Sequence, residues 1–269
     1  MNPTEAAKKF NALQPFFELL QDSKKLKSSD EYKAYFKLYD IRTMFFIMNQ
    51  NFNNLKKQLD TNKEKLIIRK NGAARWRNQR ETSRLMFNYI TSACAYIEKY
   101  LSHTLNKRHK KFIYKCLTQE LRNYLLHKGE LPLSSYYSGN KDDEIIIDEK
   151  IKLHEIKELL TKHGKREQKE NSKKNFELIE KEFKNEIYAT SFFLNLHELL
   201  NNEHHKKLIE LAHKDREKLL RFESDVSLLL NRFKLMNSEN IISNNHFQFP
   251  ISESQLRGLR WLLKQTDKK

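Results

Sequence analysis

The chain has 269 residues, enough for one large domain or two closely joined ones, and its formal net charge is +16. Only 5 Gly and 4 Pro are too few for many strands joined by tight turns, and 38% apolar against 32% charged residues speaks against wholesale disorder. The expected fold class is therefore all-α, a multi-helix bundle. A surface this basic attracts polyanions, nucleic acid first among them, although a Lys-rich proteome would produce the same charge.

Pro3, with Thr4 and Glu5 beside it, predicts the first turn of a helix that Pro15 should kink or split. Ser29 and Asp30 predict the cap of a second helix running to about Leu59, striped by Tyr35, Leu38, Ile41, Phe45, Met48, Phe52 and Leu55. LIIRK, residues 66–70, is expected to be a brief strand in the connection that ends at Asn71 and Gly72. Ala73 to Leu105 predicts a long helix with Met86, Ile90, Ala93, Ile97, Tyr100 and Leu101 on one face. Arg84, Asn88, Ser92 and Ala95 make another face, polar and small. NKRHKK then forms a basic hinge into a helix over Lys111 to His127, and Gly129 to Asp143 is expected to be a long loop.

EIIIDEK predicts one short strand followed by an Asp148 cap, with helices at about 149–163, 168–202, 206–235 and 252–265. Pro250 and Ser252 mark the start of the last, and KHGKREQKENSKK, residues 162–174, is the expected linker or flexible basic turn. The expected division is N-terminal helices over 1–72, a core over 73–165 and C-terminal helices over 166–269. Cys94 and Cys116 sit inside apolar helical patterns and read as buried, reduced thiols. MNPTEAAKKF lacks an apolar run of signal-peptide length, and no segment reaches the ~18 apolar residues of a membrane span. A soluble, cytoplasmic protein is expected.

One stretch carries chemistry: TQELRNYLLHKGELPLSSYY, residues 118–137. At about 100° per residue with Leu121 at zero, Ile113, Leu117, Tyr124 and Leu125 fall within about 80° and form a core stripe. Arg122 lies near 100°, Leu126 near 140°, Asn123 near 200° and His127 near 240°, all off the core by the same geometry. Arg, Asn and His around one large apolar residue suit a covered cleft or partner surface. Arg122 and His127 are five apart, so about 140° separates them in an ideal helix. They meet only if Gly129 loosens the helix end or a second helix walls the cleft. Arg offers a planar fork of donors for a phosphate, and His carries a proton near neutral pH. Together they suit phosphodiester cleavage by a ribose 2′-hydroxyl without a metal.

RNYLLH resembles the R-x4-6-H signature of HEPN-domain proteins, with the favoured polar residue after the Arg present as Asn123, and HKGELPL resembles the run that follows it in some bacterial relatives. That resemblance, over about residues 73–165, implies a HEPN-like helical core with additional N- and C-terminal helices. It implies a metal-independent endoribonuclease with Arg122 and His127 catalytic and Asn123 supporting, a toxin or antiviral defence effector. It further implies no cofactor, RNA as substrate, a homodimer with a composite site, and an antitoxin or regulatory protein as a further partner. Arg84 and Asn88 are candidates for the adjoining wall, and Arg77 and Lys128 join them as RNA-binding candidates.

Three other stretches invite weaker readings. HELLNNEHH, residues 197–205, is not H-E-x-x-H, because Asn201 stands where the second His belongs. A polar helix end and turn is expected there, with His197, His204, His205 and His213 as potential but unassigned metal ligands. LRGLRWLLKQ is a basic amphipathic helix whose Trp261, Leu262 and Leu263 are expected to dock on the body of the protein. NGAARWRNQR places three Arg around Trp76, which suits base stacking or a helix start with a snorkelling basic face. The rival to catalysis is a non-catalytic helical protein that binds nucleic acid or an acidic partner.

Overall fold

The structure, a computed structural model, describes residues 3–64, 72–102, 110–138, 145–163, 165–183, 186–238 and 249–267. In chain order it runs α1 (Pro3–Ser28), α2 (Asp30–Glu64), α3 (Gly72–Tyr96) with a π-helical turn (Ile97–Leu101), α4 (Lys110–Lys128), β1 (Leu133–Ser138), β2 (Ile145–Lys152), α5 (Leu153–Lys162), α6 (Arg166–Phe183), β3 (Glu186–Tyr188), α7 (Ala189–Lys214), α8 (Arg216–Ser238) and α9 (Glu253–Thr266). The class is all-α, with one small antiparallel sheet among the described residues in the order β1-β2-β3. Among the described residues no helix is long and apolar enough to cross a membrane.

Two compact units divide the chain, one of residues 1–42 and 205–269, the other of residues 43–204. Packing thus breaks the chain at 42/43 and 204/205, whereas composition and motif placement divide it at 72/73 and 165/166.

In the first unit Tyr35 stacks on Phe222 with ring centroids 4.9 Å apart, and Arg232 donates to Asp22 at 2.7 Å. Ser29 separates α1 from α2 and caps the latter, its Oγ accepting from the Tyr32 N–H at 3.1 Å. Ser252 and Gln255 form a capping box at the start of α9. Leu256, Leu259, Leu262 and Leu263 of α9 are buried, so the amphipathic helix does dock; Trp261 faces outward.

In the second unit α3 buries Met86, Tyr89, Ile90 and Ala93, the π-helical turn buries Ile97, and α4 buries Leu117, Leu121, Tyr124 and Leu125. HELLNNEHH lies within the continuous helix α7, so the expected helix end is corrected. His197 stacks flat on Phe52 with centroids 3.7 Å apart, and His204 on Phe45 at 3.8 Å, while the Tyr96 hydroxyl bonds His204 Nδ1 at 2.7 Å. The seven-residue spacing thus builds an aromatic core contact. Among the described residues no three His, Cys, Asp or Glu side chains gather in a metal-binding group.

Several expected boundaries change. Pro15 lies inside α1 without splitting it: the lost N–H removes one backbone bond, and the flanking turns carry the helix on. The expected loop after Gly129 contains β1, because Leu133–Ser138 finds a pairing partner in β2, with a bulge where the register shifts between Tyr136 and Tyr137. β3 interrupts the expected helix at 168–202 by pairing with Lys150, Ile151 and Lys152. α7 then continues to Lys214, so the next helix starts at Arg216 and not near 206. Helix α6 already starts at Arg166 inside the expected linker.

Asp148 sits within β2, five residues before α5, and caps a different helix: its Oδ1 accepts from the Thr190 N–H at 3.2 Å and the Thr190 hydroxyl at 2.7 Å. A sheet that folds back on α7 makes this cap, and sequence proximity could not reveal it. The LIIRK strand and most of the NKRHKK hinge lie outside the described residues.

Burial, with Phe52 stacked on its ring and Tyr89 beside it, lowers the His197 pKa to about 4 from the usual value of 6.5. The folded chain therefore binds fewer protons than the unfolded one in that window. Stability from this site is complete above pH 6.5 and is lost as pH falls towards 4. Thermal melts should hold from about pH 8 to 7 and decline across this interval. His197→Phe, which keeps the stack, should remove that part of the decline.

Candidate active site

Helix α4 runs one residue beyond each expected end, Lys110 to Lys128. Gly129 stops it with φ 78, the left-handed conformation that suits glycine, and its N–H bonds the Leu125 carbonyl at 2.7 Å. The helix end is therefore tight. Any meeting of Arg122 with His127 must come from a second wall.

That wall is present. Arg122, Asn123 and His127 line one cleft of about 430 Å³, with Gln119, Glu120 and Leu126 from the same helix. Facing them are Leu160 and His163 at the end of α5, and Gln168, Asn171, Ser172 and Asn175 of α6. The three motif residues thus line one concave space together with residues of α5 and α6.

The floor of the cleft is Glu120, only 2% exposed although it is a carboxylate on α4. Ser172 Oγ donates to its Oε2 at 2.8 Å and Asn175 Nδ2 to its Oε1 at 2.6 Å, and the Asn123 side chain bonds it as well. Burial raises its pKa, against the lowering effect of those three bonds. Asn123 is therefore tied to the floor and has a positioning role in this geometry.

Arg122 is held from the other side. Its Nη1 donates to Glu98 Oε1 at 2.8 Å, the carboxylate coming from the π-helical turn after α3. The Glu98 side chain is 50% exposed and that of Arg122 24%, so the pair is worth only about 0–1 kcal/mol. Arg122 Nε is buried and finds no acceptor among the described residues. The guanidinium thus has an unmet donor and an acceptor that an entering anion could displace cheaply. His127 is exposed in the last turn of α4, where a cation is favoured.

The remaining candidates occupy a second, larger cleft of about 870 Å³, where Arg77, Arg84 and Lys128 join Trp76, Arg80 and Phe87. Leu126, 67% exposed, belongs to both clefts and forms the ridge between them. Arg80 lies over the Trp76 ring at 5.3 Å, and Arg84 is paired with Glu81 at 2.6 Å. Asn88 lines neither cleft; its carbonyl accepts from Ser92 Oγ at 2.9 Å and from Asn51 Nδ2 at 3.4 Å. Neither thiol suits nucleophilic chemistry: burial pushes Cys94 up to about 12 and Cys116 up to about 11.

Compared with protein-family models, with curated proteins and with solved structures, the chain matches none. The cleft must therefore be read from its own groups.

The motif pointed to α4, but Glu120, Glu98, His163 and the amides of α6 were not singled out. Glu120 carried one usable signal. It lies about 40° from Tyr124 on the helical wheel, a charge at the border of the apolar stripe that must find partners when buried. Glu120→Ala leaves three donors without an acceptor and should cost about 2–3 kcal/mol in urea unfolding. Glu120→Gln, which keeps an acceptor and removes a buried charge, should cost under about 1 kcal/mol.

Proposed function

We propose that the protein is a metal-independent endoribonuclease of the HEPN type, acting as a homodimer in a toxin or antiviral defence role. The observation that carries this reading is the shared cleft of Arg122, Asn123 and His127 on α4, closed by α5 and α6. Arg122 has an unpartnered buried Nε and a partner, Glu98, that is weakly held, so a phosphodiester can take its place on the fork. His127 moves a proton to or from a ribose oxygen while Arg122 stabilises charge gathering on the phosphoryl oxygens. Asn123, bound to Glu120, keeps this face of α4 in register with α6.

The second cleft supports single-stranded RNA as the substrate. Trp76 is 59% exposed and available to a base, and Arg77, Arg80 and Lys128 are exposed beside it for the flanking backbone. The same cleft also favours a rival, a nucleic-acid-binding protein that does not cut, because it is the larger of the two and lacks His127. Leu126 on the ridge is the surface we assign to the second copy of the chain, with an antitoxin or regulatory protein as a further partner.

Purified protein should cleave single-stranded RNA in EDTA, leaving 2′,3′-cyclic phosphate ends. Arg122→Ala and His127→Ala should each lower the rate by about 10²-fold or more with unchanged melting temperature. Salt-sensitive binding without product, equal in wild type and both variants, would replace this reading with the rival.

A further inference from the structure

Resting on the ribonuclease reading, we propose that His163 is the second proton-transfer group of the cleft, so that one chain holds both members of an acid–base pair. Cleavage by a 2′-hydroxyl moves two protons. As the O2′–P bond forms, a base takes the proton from O2′; as the P–O5′ bond breaks, an acid gives a proton to O5′. The products are a 2′,3′-cyclic phosphate and a 5′-hydroxyl. The two groups exchange protonation states, which water restores.

The charged or titratable side chains lining the cleft are Glu120, Arg122, His127 and His163. The Arg122 guanidinium offers N–H donors and no acceptor, so it holds a phosphate and takes up no proton. Glu120 is buried with both oxygens engaged by Ser172, Asn175 and Asn123, so it cannot reach a substrate oxygen. Two imidazoles remain, one from α4 and one from the end of α5.

His163 is placed firmly at its root. It is the C-cap of α5, its N–H donates to the Leu159 carbonyl at 2.9 Å, and its backbone turns to φ −108, ψ 154, leaving the helix. Its side chain is exposed, as a group exchanging protons with water requires. A cleft of about 430 Å³ lies within the range of sites that hold one small ligand between two walls. An attacking and a departing oxygen lie on opposite sides of phosphorus, so the reaction calls for two groups from different parts of the lining, and His127 comes from α4 and His163 from the end of α5.

The test uses the full chain and a fluorescent single-stranded RNA, with kcat/KM followed against pH. Wild type should give a two-limbed profile. His163→Gln should lower the rate about 10²- to 10⁴-fold and lose one limb while its melting temperature holds. An RNA with sulfur at the departing 5′ position, which needs no acid, should restore that variant if His163 is the acid and leave it slow if His163 is the base; either supports the proposal. Mixing His127→Gln with His163→Gln protein should recover nothing, because every cleft then lacks one imidazole. A His163→Gln rate and profile equal to wild type overturns the proposal and leaves the ribonuclease reading standing. Recovery on mixing also overturns it, since the imidazoles would then come from different chains. No cleavage by wild type ends both readings together.

Discussion

Glu120 is the constraint on which the cleft depends. A carboxylate that is almost fully buried must be met by donors, and two of its three come from α6, 52 and 55 residues further along the chain. Ser172 and Asn175 therefore draw α6 onto α4, while Ile156 and Leu160 of α5 and Phe176 and Ile179 of α6 bury the apolar side of the same junction. Apolar packing alone would tolerate sliding between these helices; the directional bonds to one carboxylate fix their register. Once α6 is fixed, the polar face of α4 becomes a wall and not an open surface.

The motif residues inherit their geometry from this arrangement. Asn123 shares the carboxylate, so the turn carrying Arg122 is anchored beside it. Arg122 is only weakly held by the protein: its Glu98 partner hangs from a π-helical turn and is half exposed. Such turns place side chains where a regular helix would not, and they are frequent at functional sites. His127 lies one turn further on, next to the Gly129 stop that keeps the helix end from fraying. Leu126, between the cleft above Glu120 and the larger one beside Trp76, divides a surface that is basic on one side and amide-lined on the other.

The fold was most legible where the signals were local. Ser29 and Ser252 announce their helices because capping is a contact between near neighbours, and the apolar stripe of α4 follows from a single period. The off-core placement of Arg122, Asn123 and His127 needed only that period as well. Long-range contacts were not legible. Leu133–Ser138 is a strand because of β2, and Asp148 caps α7 because the sheet brings Thr190 to it. The α5–α6 wall was hidden for the same reason: KHGKREQKENSKK reads as a solvated basic turn until Glu120 supplies Ser172 with a partner. His163, in that same stretch, was not singled out and became notable only as a lining residue of the cleft that also holds His127.

A crystal structure with an RNA oligonucleotide whose 2′-hydroxyls are methylated, and which therefore cannot be cut, measures the decisive contact directly. One phosphate should sit on the Arg122 guanidinium within hydrogen-bond reach of His127, with Glu98 displaced and flanking nucleotides passing over Leu126 towards Trp76. Oligonucleotide confined to the Trp76 cleft, with Arg122 still paired to Glu98 and the cleft above Glu120 empty, would contradict it.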